Sequence, residues 1–253
     1  MRRKYGNSIA ENPTLWRILF IDVPYRRVLE WETEDVPFMR FGEEIMAERT
    51  TEIYFRMLRE MRDVVFSTVA EDGTPRARII DVMLVEGEKL YFLTAAGKDF
   101  YEELMRNGRV AIAGLNSSWE TIRVWGRVRN VGQDLLGRIF EENPSMNNVY
   151  PGDSRYILEV FCLEEGEGEY FCLGTEPITR HPFSFGKKTF RKKGFEITDA
   201  CIGCGTCAAA CPQQAIDEGS PYTIRQENCL HCGLCFRDCP AEAVIRRSGE
   251  AEQ

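Results

Sequence analysis

The spacing of hydrophobic residues changes along the chain, from a helical period to a strand period. Apolar residues recur at helical spacing over residues 43–62, which predicts an amphipathic helix. Three prolines within residues 1–42 exclude one long helix there, so this segment is treated as an N-terminal extension. The sheet-forming part of the chain is therefore expected to begin after the helix.

Strand-like and helical segments then alternate, separated by turn residues such as Glu71-Asp72-Gly73-Thr74-Pro75. Strands are predicted over 64–70, 76–85, 89–94, 109–115, 119–131, 156–163 and 169–173, and helices over 98–107 and 133–142. Because hairpins dominate this order, the sheet should be mainly antiparallel. The predicted fold class is α+β, a barrel with flanking helices.

Composition and charge exclude several classes of protein. The chain of 253 residues is 43% hydrophobic and 28% charged, which is typical of a globular protein. Its net charge of −8 argues against nucleic acid as a partner. No run approaches the roughly 18 apolar residues of a membrane span, and no apolar region follows the basic N-terminus. We therefore expect a cytoplasmic protein with no membrane partner.

A short basic segment divides the chain. Residues 187–194 contain five basic residues and no acidic residue, and glycine bounds the segment on both sides. We interpret it as a linker between a domain at 43–186 and a C-terminal domain at 195–253. The alternative is that its charge docks an acidic electron-carrier protein.

The cysteines form an internal repeat. Eight of the ten cysteines lie between Cys201 and Cys239. The run Cys-x-x-Cys-x-x-Cys-x-x-x-Cys-Pro begins at Cys201 and again at Cys229. Clustered cysteines outside a small secreted domain indicate metal rather than disulfides. Zinc in two four-cysteine sites is the alternative, although zinc sites usually use separated Cys-x-x-Cys pairs.

Residues 195–247 resemble the bacterial two-cluster ferredoxin family through this doubled run. In that family the fourth cysteine of each run ligates the other cluster. The resemblance implies two [4Fe–4S] clusters held by two mixed sets of ligands. The first set is Cys201, Cys204, Cys207 and Cys239, and the second set is Cys229, Cys232, Cys235 and Cys211.

Besides His181, three Cys and His residues stand outside the ligand sets. His231 lies inside the second cysteine loop, where we interpret it as a tuning or surface residue rather than a ligand. Cys162 and Cys172 lie on strand-like segments with apolar neighbours, so we expect buried thiols of the core.

Three segments upstream carry a second resemblance. They are Gly73-Thr74-Pro75-Arg76-Ala77-Arg78-Ile79-Ile80, Leu90-Tyr91-Phe92-Leu93-Thr94-Ala95-Ala96-Gly97-Lys98 and Thr121-Ile122-Arg123-Val124-Trp125-Gly126-Arg127-Val128. With the order of the strands, they make residues 43–173 similar to the FMN-binding split barrel of the pyridoxamine 5′-phosphate oxidase superfamily. The resemblance implies a homodimer with FMN at the subunit interface.

The resemblance also implies roles for particular residues. Arg78 and Lys98 would neutralise the FMN phosphate, and the hydroxyl of Thr94 would donate a hydrogen bond. Lys98 also opens a predicted helix, whose N-terminal amides favour an anion. The implied cofactor contacts are Arg78, Ile79, Ile80, Thr94, Ala95, Lys98 and Thr121.

The sequence departs from the family where substrate is concerned. Thr121 stands where the family usually has glutamine, and Ala96-Gly97 replaces Ser-Arg. The family's C-terminal substrate residues have no counterpart. Pyridoxamine phosphate is therefore not the expected substrate. The catalytic acid or base is unassigned, and His181 is the one candidate, in a predicted loop before proline.

Together the two resemblances predict a flavin- and iron–sulfur-dependent oxidoreductase. A protein donor, two [4Fe–4S] clusters and FMN would pass electrons to or from a small molecule, because flavin converts one-electron to two-electron chemistry. Two alternatives remain open. One is an electron-transfer adaptor without a substrate of its own, and the other is a redox protein that binds a tetrapyrrole or a deazaflavin.

Overall fold

The computed structural model describes residues 50–189 and 192–247. The strands are β1 (Val64–Val69), β2 (Pro75–Ile80), β3 (Leu84–Glu86), β4 (Lys89–Ala95), β5 (Arg109–Leu115), β6 (Glu120–Gly132), β7 (Leu158–Cys172), β8 (Thr179–Phe185), β9 (Phe195–Ile197), β10 (Ile216–Asp217), β11 (Thr223–Ile224) and β12 (Val244–Arg246). The α-helices are α1 (Thr51–Met61), α2 (Asp99–Asn107), α3 (Leu136–Glu142), α4 (Met146–Val149), α5 (Thr206–Ala210) and α6 (Leu234–Arg237). Two 3₁₀ helices span Gly152–Ile157 and Gln226–Asn228.

Eight strands form one antiparallel sheet in the order β2-β1-β5-β6-β7-β4-β3, with β8 paired to β7. This confirms the predicted class, an antiparallel split barrel with flanking helices and a small C-terminal ferredoxin-like region. The N-terminal extension at 1–42 and the first residues of the predicted helix at 43–62 lie outside the described residues.

Both faces of β4 are buried along most of its length. On β4, Leu90 and Phe92 pack into a core that includes α1 and α2. Tyr91 and Leu93 point the opposite way and pack against α3. Because successive side chains of a strand point to opposite faces, a strand covered on both faces reads as a continuous apolar run. A third, smaller core lies within the cysteine-rich region.

The structure corrects the predicted end of the barrel. Strand β7 is continuous from Leu158 to Cys172, where two strands with a break were predicted. The polar, glycine-containing run between them stays in the sheet because it is a place of close approach. A Cβ at Gly166 would lie 2.5 Å from the carbonyl oxygen of Trp125, and one at Gly168 would lie 2.3 Å from the Phe183 ring.

The segment predicted to be a loop around His181 is strand β8. Pro182 is tolerated there because β8 pairs with β7 on one side only, so the missing amide breaks no second ladder. The prediction that β2 continues to Val85 is also wrong, since β2 ends at Ile80 and β3 begins at Leu84. In the described part of the chain, no helix has the length and apolar character needed to cross a membrane.

Replacement of Gly126 tests the close approach of β6 and β7. A Cβ there would lie 2.3 Å from the carbonyl oxygen of Glu165, a backbone atom that cannot move aside. Gly126→Ala should lower the free energy of unfolding by about 1–3 kcal/mol. The matched control is Gly137→Ala in α3, which meets nothing within 4 Å and should stabilise by about 0.4–1 kcal/mol. Equal melting temperatures for the two variants would contradict the packing described here.

Candidate functional site

The first cysteine set surrounds one cavity. Cys201, Cys204 and Cys207 line it together with Cys239, which comes from the other half of the repeat. Ile197, Tyr222 and Val244 form part of its apolar wall. The fold thus brings the fourth cysteine of one run to the first three of the other, which is the arrangement that the doubled run implied.

In the second set, Cys211 from the first run lies near Cys229 from the second run. Burial raises the pKa of Cys229, and the nearby thiols of Cys211 and Cys232 raise it further. Burial also raises the pKa of Cys235 to about 11. Iron binds cysteine as thiolate, so binding of a cluster would release the protons of these thiols.

The repeat extends to the backbone. Gly205 and Gly233 occupy equivalent positions before α5 and α6, with φ of +74° and +82°. This left-handed conformation is accessible to glycine without strain and turns the loop around the site. The amides of Ala215 and Ala243 donate to the sulfurs of Cys211 and Cys239, both at 3.3 Å.

The cysteine sets suit a group larger than one ion. Among residues 50–189 and 192–247, no three Cys, His, Asp or Glu side chains are gathered closely enough to hold a single metal ion. Four thiolates around one cavity instead match the four iron corners of a cubane cluster. All ten cysteines are free thiols, and Cys162 and Cys172 are buried as predicted.

The cysteine-rich region contacts the barrel through β8 and the residue before it. The amide of Ile178 donates to Oε1 of Gln213 at 3.2 Å, and Nδ2 of Asn228 donates to the carbonyl oxygen of Ile178 at 2.9 Å. From the basic segment, the Lys193 ammonium lies 4.1 Å from the Trp125 ring centroid. The two parts of the chain are therefore joined by specific contacts as well as by the covalent connection.

Arg180 and His231 form a further contact of this junction. Nη1 of Arg180 lies 3.3 Å from Nδ1 of His231. Burial lowers the pKa of His231 to about 4, and the Arg180 charge adds to the effect. His231 is therefore neutral near pH 7. Because a guanidinium only donates, Nδ1 accepts, and the ring proton lies on Nε2. His231 thus contacts the barrel rather than lying free at the surface.

The predicted phosphate contacts meet at the N-terminal end of α2. Lys98 is the exposed N-cap residue of that helix. The guanidinium carbon of Arg78 lies 4.5 Å from the centroid of the Phe100 ring, in the first turn. The hydroxyl of Thr94 is buried and finds no hydrogen-bond partner among the described residues. Ala95 is buried at the end of the same strand.

Arg78 already has a carboxylate partner. Its guanidinium donates to Oε2 of Glu103 at 2.8 Å and to the hydroxyl of Thr68 at 2.6 Å. Burial alone would raise the pKa of Glu103, but hydrogen bonds from Thr68 and Arg78 lower it below its ordinary value. Glu103 is therefore ionised at neutral pH and holds Arg78 against α2, an interaction that the sequence pattern did not reveal.

The predicted ring contacts lie on more than one surface. Ile79 points outward and is 56% exposed, while Ile80 packs against the core. Outward-facing Val65 and Leu115 continue an apolar surface across β1 and β5. Thr121 lies next to Leu115 in the register of β5 and β6, three strands from Ile79. Within one chain, Thr121 is thus far from the Arg78–Lys98 end of the barrel.

His181 lies among aromatic side chains of the barrel. The hydroxyl of Tyr54 is 2.7 Å from Nδ1 of His181. The Tyr54 ring in turn stacks on Tyr170 and lies tilted against Phe183. His181 is separate from the α2 end, and its role as a proton donor stays a prediction.

Comparison with known proteins identifies both parts of the chain. Residues 51–148 match the family described as pyridoxamine 5′-phosphate oxidase, and residues 200–243 match the 4Fe-4S dicluster domain. The chain therefore fuses a pyridoxamine 5′-phosphate oxidase-like domain to a dicluster domain of the ferredoxin type. Both resemblances inferred from the sequence are confirmed.

Two curated ferredoxins are similar to the C-terminal part. The ferredoxin of Butyribacterium methylotrophicum is 60% identical over 30 residues, which are 12% of this chain and 54% of that protein. The ferredoxin of Thermoanaerobacterium thermosaccharolyticum is 67% identical over 24 residues, which are 10% of this chain and 44% of that protein. The chain thus spans about half the length of the curated relatives it matches.

Solved structures resemble the barrel. A NimC/NimA family protein from Clostridium acetobutylicum has a TM-score of 0.44 and 26% identity, over 51% of this chain and 91% of that one. A pyridoxamine 5′-phosphate oxidase-related, FMN binding protein from Nostoc punctiforme has a TM-score of 0.40 and 15% identity, over 58% and 92%.

Loss of single cysteines should test the mixed ligand sets. Cys239→Ser and Cys211→Ser should each lower bound iron from about eight to about four atoms per chain, because each removes one corner of one cluster. Iron and acid-labile sulfide per chain, measured after anaerobic purification, check this. The control is Cys172→Ser, a buried thiol outside both sets, which should keep the full iron content. Full iron in the Cys239 variant would refute the mixed assignment.

Proposed function

We propose that this chain is an oxidoreductase that uses FMN and two [4Fe–4S] clusters to pass electrons between an external electron-carrier protein and a small molecule. The observation that carries the proposal is the fusion of a pyridoxamine 5′-phosphate oxidase-like barrel with two complete cysteine sets in one chain. FMN, when bound, would supply the exchange between one-electron and two-electron chemistry.

The barrel has suitable groups for a flavin phosphate. At one end of the barrel lie a cation at Lys98, the amides of the first turn of α2 and the buried hydroxyl of Thr94, which finds no hydrogen-bond partner in the described part of the chain. The N-terminus of a helix favours an anion because its first amides have no partner within the helix. Arg78 lies beside the same helix and would add a second positive charge.

The outward apolar surface has the character expected of a flavin site at a subunit interface. Ile79, Val65 and Leu115 expose large apolar side chains on neighbouring strands of one sheet face. Exposed apolar surface of this kind is typical of a ligand site or a protein interface. A homodimer would cover it and would supply Thr121 from the second copy. The buried thiols of Cys162 and Cys172, which form no disulfide, agree with a reducing, cytoplasmic setting.

The chain's own residues would act by binding and orientation. Lys98 and Arg78 would fix the phosphate, and Glu103 would hold Arg78 in place. The cysteine sets would hold their clusters through four thiolates each. The substrate would be a small molecule, and electrons could flow in either direction. His181 would serve as a proton donor.

Removal of the cation at the start of α2 should weaken flavin binding. Lys98→Ala should raise the Kd for FMN roughly tenfold to a hundredfold, because a charge-assisted hydrogen bond contributes about 1.5–3 kcal/mol. Fluorescence titration of the deflavinated protein with FMN measures this. The matched control is Arg106→Ala, at the opposite end of the same helix. Equal affinities in both variants would remove Lys98 from the site.

Removal of both clusters should separate flavin binding from flavin reduction. In the double variant Cys204→Ser, Cys232→Ser, we expect FMN to bind with unchanged stoichiometry, whereas reduction by a reduced ferredoxin should be lost. Anaerobic stopped-flow absorbance of the flavin follows the reaction. Reduction at the wild-type rate would overturn the proposed wiring. Purified protein with full iron but no flavin would overturn the assignment of FMN to the barrel.

A further inference from the structure

The two cysteine sets have the same ligand pattern but different neighbours. In the 28-residue repeat, Ile202 of the first loop corresponds to Leu230 of the second. Ile202 is 70% exposed, whereas Leu230 is half-buried. Gly203 has open space where a side chain would be, whereas His231 at the equivalent position contacts Arg180. The repeat is therefore symmetric in its ligands and asymmetric in its surroundings.

Residues that adjoin the second set make contacts with the barrel. Gln213 comes two residues after Cys211, and Asn228 immediately precedes Cys229. Both side chains bond the backbone of Ile178, the residue before β8. Residues adjoining two ligands of the second set are thus anchored to the barrel, while the first loop faces solvent.

Arg180 is the charged group at this junction. Its side chain is 10% exposed, and its guanidinium forms an ion pair with Glu169 on β7. One nitrogen reaches His231 at 3.3 Å, and the guanidinium carbon lies 4.9 Å from the centroid of the Phe171 ring. Nε of Arg180 is buried and finds no hydrogen-bond partner among the described residues. Burial of a cation is costly, and the Glu169 carboxylate compensates it here.

The sheet register connects this junction to a predicted flavin contact. Thr121 pairs with Phe171, and Phe171 pairs with Arg180, so the three lie in one row across β6, β7 and β8. Paired residues of a sheet point to the same face, and neighbouring strands lie about 4.8 Å apart. The row therefore spans about 10 Å between the backbones of Thr121 and Arg180.

We propose that Arg180 is a positioning residue that holds the second cysteine set against this row of the barrel, so that the second set faces the flavin and the first set faces the external electron carrier. The proposal rests on the proposed function for the identity of the flavin, but the placement of Arg180 beside the second set does not. For each electron gained by a flavin in the barrel, the cluster of the second set would lose one electron. The external donor would replace that electron through the cluster of the first set.

The Arg180 charge should act on the two sets unequally. A [4Fe–4S] centre becomes more negative when it is reduced, and a nearby cation favours that form. His231 transmits the contact, because its amide donates to the sulfur of Cys229 at 3.4 Å while its ring accepts from Arg180. Loss of the cation should therefore make the second centre harder to reduce and leave the first one unchanged.

The test is a redox titration of the complete chain followed by EPR. The signals are assigned with Cys204→Ser and Cys232→Ser, each of which leaves one cysteine set complete. Arg180→Gln should shift the midpoint potential of the second centre to a more negative value and leave that of the first centre in place. It should also slow flavin reduction by reduced ferredoxin at least tenfold, with unchanged FMN content. Arg180→Lys, which keeps the charge, should restore most of the potential.

The matched control is Arg129→Gln. Arg129 also pairs with a glutamate of β7, Glu164, but it is exposed and lies outside the junction. It should shift neither potential. If the Arg180→Gln variant misfolded and lost iron, the His231→Asn variant would be used for the same titration. Asparagine tolerates the φ of +56° at position 231. The His231→Asn variant should shift the midpoint potential of the second centre and leave that of the first centre unchanged.

Three results would overturn the proposal. They are unchanged potentials in both Arg180→Gln and His231→Asn, a shift confined to the first centre, and equal shifts in Arg129→Gln and Arg180→Gln. Absence of flavin from the purified protein would be a failure of the proposed function instead. The potentials would still decide the placement of Arg180, because the cluster signals are assigned with the cysteine variants and do not depend on flavin.

Discussion

The long pairing of β6 with β7 is the interaction on which the rest of the molecule depends. Strand β7 also pairs with β4 and β8, so it connects the barrel to the strand that carries the cysteine-rich region. The pairing requires that Gly126 and Gly166 face each other without side chains, since either Cβ would meet a backbone oxygen within 2.5 Å. Two absent methyl groups thus permit the strand pairing that joins the barrel to β8 and, through β8, to the cysteine-rich region.

The same strands also carry ion pairs that hold charged side chains in fixed positions. Glu169 on β7 pairs with Arg123 on β6 and with Arg180 on β8, which places one carboxylate between two cations on the outer face. At the other end of the barrel, Glu103 holds Arg78 in a buried pair. In both places a glutamate carboxylate holds an arginine side chain in one position. The guanidinium is therefore already oriented when a ligand binds. Fixed charges of this kind act more strongly on a bound group than mobile ones, because no reorganisation is needed.

Regular spacing made most of the fold predictable. The helical period before residue 63 and the hairpins after it give the antiparallel class, and the doubled cysteine run gives both ligand sets. Prediction failed at β7 and β8 because polarity, glycine and Pro182 mark a loop when only local preference is considered. The alternation of Phe183 and Phe185 on β8 was the available signal. The ion pair of Arg78 with Glu103 joins residues 25 apart in sequence, and no local pattern encodes it.

The contacts at Ile178 have a consequence for solubility. A strand at the edge of a sheet offers unpaired amides and carbonyls to any other chain, which makes it a nucleus for aggregation. Gln213 and Asn228 occupy the amide and the carbonyl at the entrance to β8 with side-chain amides rather than with another strand. A side-chain amide pairs with the exposed backbone groups of the strand. Unlike another strand, it adds no further unpaired backbone groups of its own. The cysteine-rich region therefore also covers the start of β8. In a barrel produced without that region, these backbone groups would be open to pairing with other molecules.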